Sequence, residues 1–445
     1  MAFKTDTQTL KDLEVFPVKK NASSIFDFYN RTATNGGKEI LYRILNTPIV
    51  DPVFLENRKR EILFFSEVTV DFRLNRRQLD FIEFYLQNRR IPLKANIIDA
   101  TKDSLVNKIK TNSDYYIIAQ GILNSTYLLK DLRSLLDQLK DLEKPDSLND
   151  NYQFLEEYIE QEHLVKILDD LPGKYNDFKP MTINRLDNFF RQKSKNEFRK
   201  LLDIIYDFDV FFALGSLIKE DGFKLPEFVQ GSDQIFDVAD CFHPFLDKPV
   251  KNNFKLENGV NLYFITGPNM SGKSTFLKTV GLLIYLSHLG LPVPAKHLKT
   301  SLFNGLYTTI NISDSLSQGF SHFLTEVKRI KEMSERINTS NNLVIIMDEL
   351  FRGTNVKDAY DATLMVVKLL AQIKNSVFII SSHILEVAED LKGSELISFK
   401  CFEAELEASQ LKYDYKLING ISEERVGLHI MENEGIKSIL EALIK

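Results

Sequence analysis

The sequence contains no tryptophan and only two cysteines, Cys241 and Cys401, in 445 residues. Two cysteines so far apart cannot build a disulfide framework, and they fit a reducing compartment. Glycine and proline are sparse, at 19 and 13, which excludes collagen-like and low-complexity chains. Neither sign of charge dominates: 56 Lys+Arg stand against 62 Asp+Glu, a formal −6. A polycation that coats nucleic acid by bulk charge is therefore excluded. No long hydrophobic run exists either. The most apolar stretch, Val280 to Ala295, is broken by Ser287, His288 and two prolines, and it falls short of a membrane span. The start, MAFKTDTQTL, has no apolar secretion core. The expectation is a cytoplasmic protein without a membrane partner.

What is present is ordinary globular material. Apolar residues make up 44% of the chain, enough for real cores, and the length suggests two to four domains. Apolar residues recur at helical spacing through the first 225 positions. Leu123, Tyr127, Leu128, Leu132, Leu135 and Leu139 mark one helical face. The run Arg73 to Arg90, through Phe81, Phe84 and Tyr85, reads as helix, and so does Phe198 to Phe208. Breaks are expected at Thr47-Pro48, Lys144-Pro145, Leu171-Pro172-Gly173 and Lys179-Pro180. No repeat of solenoid length is visible.

The character changes between Pro226 and Pro244. Short β-branched runs follow, at Leu262–Ile265, Leu343–Met347 and Val377–Ile380, with helical stretches between them. Each run is almost continuously apolar, as buried central strands are. This alternation predicts an α/β domain from about 235 to 420, with a short helix at 435–445. The expected fold class is α plus α/β multidomain: a helical domain at 1–230, then an α/β domain at 231–445.

The run Leu262–Ile265 leads into Thr266-Gly267-Pro268-Asn269-Met270-Ser271-Gly272-Lys273-Ser274-Thr275. This satisfies the G-x-x-x-x-G-K-[ST] phosphate loop with strand before and helix after. Gly267 and Gly272 let successive amides face a phosphate, and the helix start adds donors and partial positive charge. Lys273 would reach the β- and γ-phosphates, and Ser274 would ligate Mg²⁺. The surrounding segment 251–300 holds six basic residues and one acidic residue, the strongest local positive excess. Asp348-Glu349 closes the second apolar run, 75 positions after Lys273. Asp348 there can hold the Mg²⁺ shell, and Glu349 can orient and deprotonate water. ATP and Mg²⁺ are the implied ligands.

Two further elements leave alternatives open. Gly319-Phe320-Ser321-His322-Phe323 opens a helical stretch and could offer Ser321 to a γ-phosphate, though an ordinary capped helix start fits as well. His383, after the third run, is either structural or a sensor of the γ-phosphate and its water.

Together these segments resemble the MutS DNA mismatch-repair ATPases. The Pro268-Asn269-Met270 insert in the phosphate loop is close to that family's version. Asp348-Glu349-Leu350-Phe351-Arg352-Gly353-Thr354 looks like its extended acidic strand. Asp314-Ser315-Leu316 with Gly319, Ser321, Phe323 and Glu326 looks like its trans-acting signature. His243-Pro244, Ser382-His383, Tyr415-Lys416-Leu417 and Gly427-Leu428-His429 also fit. The match runs over about 235–440. A weaker likeness covers the first 65 residues, through Thr9 to Glu14, Ser24-Ile25-Phe26 and Leu45 to Pro48.

The resemblance implies a homodimer with two composite ATP sites, each completed by Ser321 of the other chain. It implies DNA handling, on mismatched or branched structures, in repair or recombination, and leaves room for a repair-protein partner. It places Asn253 at the nucleotide and Val250 where an adenine-stacking aromatic usually stands. His322 and Ala359 also depart from the pattern. The family's mismatch-reading and connector domains are expected to have no counterpart here, and the clamp is expected to be short or absent. Ten basic residues could serve DNA or be solvated helix faces equally well: Arg73, Arg76, Arg77, Arg89, Arg90, Arg191, Lys193, Lys195, Arg199 and Lys200. The alternative is a nucleotide-regulated scaffold without direct DNA contact; an ABC-type transporter subunit is poorly served by the helical first half.

Overall fold

The structure, a computed structural model, describes residues 3–19, 22–70, 74–101, 113–231, 233–310, 322–407, 410–422 and 436–443. It is mixed helix and sheet. The chain forms two compact units. One comprises Tyr29–Ile44 and Asn57–Lys219; the other comprises Met1–Phe28, Leu45–Glu56 and Glu220–Lys445. This division is not a single cut near residue 230, because the N-terminal segment packs with the sheets.

The first unit is helical. Its longest elements are Ser113–Leu139 and Lys195–Asp221, each of 27 residues. The apolar face from Leu123 to Leu139 turns into the core, and Phe198, Leu201, Ile204, Ile205 and Phe208 meet it there. Helices begin at Asp146 and Pro180, just where the prolines break the pattern. The Arg76–Leu86 helix buries Leu79, Ile82 and Tyr85. Phe84 points outward instead and is 56% exposed.

The second unit is built on two sheets. Its strands are β1 (Glu227–Val229), β2 (Phe236–Cys241), β3 (Asn252–Lys255), β4 (Leu262–Thr266), β5 (His297–Ser301), β6 (Gly305–Thr309), β7 (Leu343–Asp348), β8 (Ser376–Ser381), β9 (Ile397–Glu407) and β10 (Gln410–Asn419). The main sheet has the order β10-β9-β4-β8-β7-β6. It is parallel from β9 to β6, and β10 pairs antiparallel at the edge. The three apolar runs seen in the sequence are its adjacent strands β4, β8 and β7, buried at every position. Parallel strands bring their C-terminal ends to one edge, which gathers the phosphate loop, Asp348 and Ser381. The smaller sheet runs β1-β5-β2-β3. The chain's end is helical over Ile436–Leu443.

The N-terminal segment belongs to this unit through buried polar contacts. Asp12 is wholly buried. It accepts from the Thr308 hydroxyl at 2.8 Å and the Ile310 amide at 2.9 Å. Arg329 pairs with Asp6 at 2.7 Å, and Lys278 with Glu14 at 2.7 Å. Asp12→Ala strands the Ile310 amide without solvent, so this unit should lose about 1–3 kcal/mol. An unchanged urea midpoint would refute that anchoring role.

Among the described residues, no helix is long and apolar enough to cross a membrane.

Candidate functional site

The phosphate loop owes its shape to three residues with positive φ. Gly267 sits at φ 145°, Met270 at 69° and Gly272 at 102°. A Cβ on Gly267 would lie 2.6 Å from the Phe402 carbonyl oxygen, so only glycine fits there. Gly272 occupies the N-cap of the helix Lys273–Ser287 in left-handed conformation, with no side chain to cap it. A helix start of this kind presents amide donors suited to an anion.

A cavity of about 600 Å³ opens beside this loop. Asn269, Met270, Gly272, Lys273, Ser274 and Thr275 form its floor, and Glu349 and Arg352 reach it from the end of β7. Lys273 is buried, and its ammonium donates to the carbonyls of Gly267 at 2.7 Å and Pro268 at 2.9 Å. Burial draws its pKa below the usual lysine value, against the opposing charges of Glu349 and Asp348. The buried Ser271 hydroxyl has no hydrogen-bond partner among the described residues. A glycine cradle, an orphaned hydroxyl and a lysine folded onto loop carbonyls together suit a polyphosphate.

The acidic pair is built by strand register. Asp348 lies opposite Ser381 on β8, whose hydroxyl donates to its Oδ1. Glu349 then turns out of the strand at φ 50°, with its amide donating to the Ser381 carbonyl at 3.1 Å. Its Oε2 lies 2.5 Å from Arg352 Nε and 3.6 Å from His383 Nδ1. Burial alone would raise the Glu349 carboxyl; the hydrogen bond from His383 and the charges of Arg352, His383 and Lys273 outweigh it and hold the pKa low. The group is an ionised carboxylate, as a proton acceptor must be. His383 is half-exposed beside it. The geometry therefore brings Lys273, Ser274, Glu349 and His383 to one place. Ser274 can offer its hydroxyl, and Asp348 its carboxylate, to a magnesium ion.

Other expected residues fall differently. Asn253 accepts from the Asp240 amide at 2.8 Å, and it is Asn252 that lines the cavity. Neighbours on a strand point to opposite faces. Asn252 ties the cavity wall to β10: it donates to the Tyr415 carbonyl at 2.9 Å and accepts from the Leu417 amide at 2.8 Å. Val250 does line the cavity, and so do Tyr415, Phe242 and His243. The His243 ring is neutral at pH 7 because burial pushes its pKa down to about 4. Ser321 lies outside the described residues, as do Gly427 to His429.

The basic set in the helical unit is partly spent on internal pairs. Arg191 is buried against Asp187 at 2.6 Å. Arg199 chelates Glu83 at 2.5 and 2.7 Å, and Arg76 pairs with Asp80 at 3.7 Å. Arg73 lies outside the described residues. Spacing alone could not separate these arginines from solvated ones.

Comparison with known proteins agrees with the geometry. Residues 263–442 match the family model of MutS domain V. The DNA mismatch repair protein MutS of Petrotoga mobilis is 22% identical over 97% of this chain and 62% of its own length. The proteins of that name from Fervidobacterium nodosum and Persephonella marina are 26% and 28% identical over 55% and 53% of this chain. The chain spans 30% and 27% of their lengths. The phosphate loop, the acidic strand end and these relatives agree: the chain is similar to the MutS proteins, most clearly over the domain V match.

Proposed function

We propose that this protein is a MutS-like ATPase that couples ATP binding and hydrolysis to the handling of mismatched or branched DNA. The observation that carries the reading is the convergence of Lys273 and Glu349 on one cavity at the strand ends. Lys273 leaves its carbonyl partners for the β- and γ-phosphates. The amides of Asn269 to Thr275 surround the remaining phosphate oxygens. Ser274 and Asp348 hold Mg²⁺, which supplies positive charge against the developing phosphate charge. Glu349 accepts the proton of the attacking water, and His383 stands beside it to steady the charge. Tyr415 and Phe242 offer aromatic surface to a base, in place of the aliphatic Val250.

The active unit in this reading is a homodimer. Ser321 of one chain completes the site of the other, so the γ-phosphate stabilises the closed pair and its loss releases it. The helical unit serves as core and levers between nucleotide and DNA. The names of the matched relatives support mismatch repair as the setting.

ATPase activity on matched, mismatched and four-way-junction DNA tests the whole reading, with DNA affinity followed against salt. Stimulation by DNA and a steep loss of binding with added salt are expected. No binding at low salt, with or without ATP, would leave the nucleotide-regulated scaffold. Lys273→Ala is the companion variant. It should weaken nucleotide affinity by about tenfold or more, because a charge-assisted contact to phosphate is removed. Unchanged affinity in equilibrium titration would strip Lys273 of its role.

A further inference from the structure

Besides Lys273, the cavity is lined by two cations that a phosphate loop does not require, Lys248 and Arg352. Arg352 lines it beside Lys273 and Glu349, with its side chain 47% exposed. Its charge is felt at Lys273, where it disfavours the protonated ammonium. Lys273 and Arg352 therefore converge on one space against their mutual repulsion. Each rests on protein oxygens: Lys273 on the carbonyls of Gly267 and Pro268, Arg352 on the carboxylate of Glu349. The two resting places differ in consequence. A carbonyl loses nothing by being covered, whereas a guanidinium 2.5 Å from a carboxylate oxygen occupies the place a water would take on it.

The backbone under Arg352 is fixed independently of its side chain. The Arg352 amide donates to Glu326 Oε1 at 3.3 Å. The Phe351 ring lies 5.6 Å from that of Phe323 on the same helix, His322–Thr339. Glu349 and Phe351 both hold left-handed φ, at 50° and 62°, so the turn is over-determined. A guanidinium on such an anchor can change partner without moving the turn that positions the glutamate.

Resting on the nucleotide reading above, we infer that Arg352 is an exchange latch: its guanidinium leaves Glu349 for the terminal phosphate of a bound nucleoside triphosphate, which uncovers the carboxylate for water. A γ-phosphate carries more charge than a carboxylate and matches the guanidinium fork with two oxygens. A diphosphate ends one group short, and Arg352 then stays on Glu349. The base is thus withheld until there is a phosphoryl group to transfer. Arg352 acts here as a sensing and positioning residue, and its signature is discrimination between triphosphate and diphosphate.

The test is equilibrium binding to the full chain with Mg²⁺ and either a non-hydrolysable ATP analogue or ADP. Arg352→Gln should lose about tenfold or more in triphosphate affinity while ADP affinity stays within about twofold. Arg352→Lys should keep most of the triphosphate preference, since an ammonium still supplies a point charge. A glutamine variant that keeps the wild-type ratio of the two affinities, or weakens both alike, would overturn the latch. Wild-type protein that takes up neither nucleotide would instead sink the nucleotide reading beneath it.

Discussion

Glu349→Gln should leave Mg²⁺-ATP binding close to wild type and slow hydrolysis by about 10²- to 10⁴-fold, the usual worth of a positioned general base. The substitution keeps the side chain's length and its place at the end of β7. It removes the one property that matters for proton transfer, an ionised oxygen. The structure gives that oxygen company suited to keeping it charged: Arg352 at 2.5 Å and His383 at 3.6 Å. The turn that carries it stays tied by its amide to the Ser381 carbonyl, so the variant should fold. Binding should even gain slightly, because a negative charge no longer faces the terminal phosphate. The measurement is single-turnover hydrolysis with nucleotide affinity determined in parallel. Turnover at the wild-type rate would remove Glu349 as the base and return the role to another group. A collapse of binding would show that the carboxylate serves the loop's structure.

The parts of this molecule legible from sequence are those decided by local physics. Leu262–Ile265, Leu343–Met347 and Val377–Ile380 read as buried strands because parallel strands covered on both faces need apolar residues at every position. The phosphate loop reads because glycine, lysine and serine are required at fixed spacing around an anion. Illegible parts depend on distant partners or on parity. Asn253 and Asn252 differ by one position, and in a strand one position exchanges the two faces. Tyr415 reaches the cavity wall only because the β9–β10 register shifts between Tyr413 and Leu417. The packing of residues 3–12 against β6 rests on Asp12 finding Thr308 and Ile310, nearly three hundred residues away in sequence. Arg191 has the sequence context of a surface arginine, and nothing nearby announces that it is buried. Arg352 could have been noticed three residues after Glu349, but its ion pair needs the left-handed turn between them.

Arg191 also carries the largest stability effect expected in the helical unit. Asp187 precedes the π-turn Phe189–Lys193 and Arg191 lies within it, four residues on, with side-chain exposures of 0% and 4%. Asp187 accepts from Arg191 Nε at 2.6 Å and Nη2 at 2.7 Å, from the Tyr85 hydroxyl at 2.9 Å and from the Leu93 amide at 2.7 Å. Arg191 Nη1 donates in turn to the carbonyls of Arg90 at 2.7 Å and Asn88 at 3.3 Å. The pair therefore pins the segment 88–93 to the turn. Arg191→Leu removes the cation paired with a buried carboxylate and takes a donor away from two loop carbonyls. The expected cost is about 3–5 kcal/mol, the usual consequence of breaking rather than replacing a buried pair. Changing Asp187 to Asn in the same chain should restore a good part of it. An amide needs no counter-charge, and its oxygen still accepts from the Leu93 amide. Denaturant unfolding followed by far-ultraviolet circular dichroism reads both variants, since the chain has no tryptophan to report. If the single variant unfolds at the wild-type midpoint, the pair contributes nothing net. If the double variant is no better than the single, the loss comes from the loop carbonyls and not from the stranded charge.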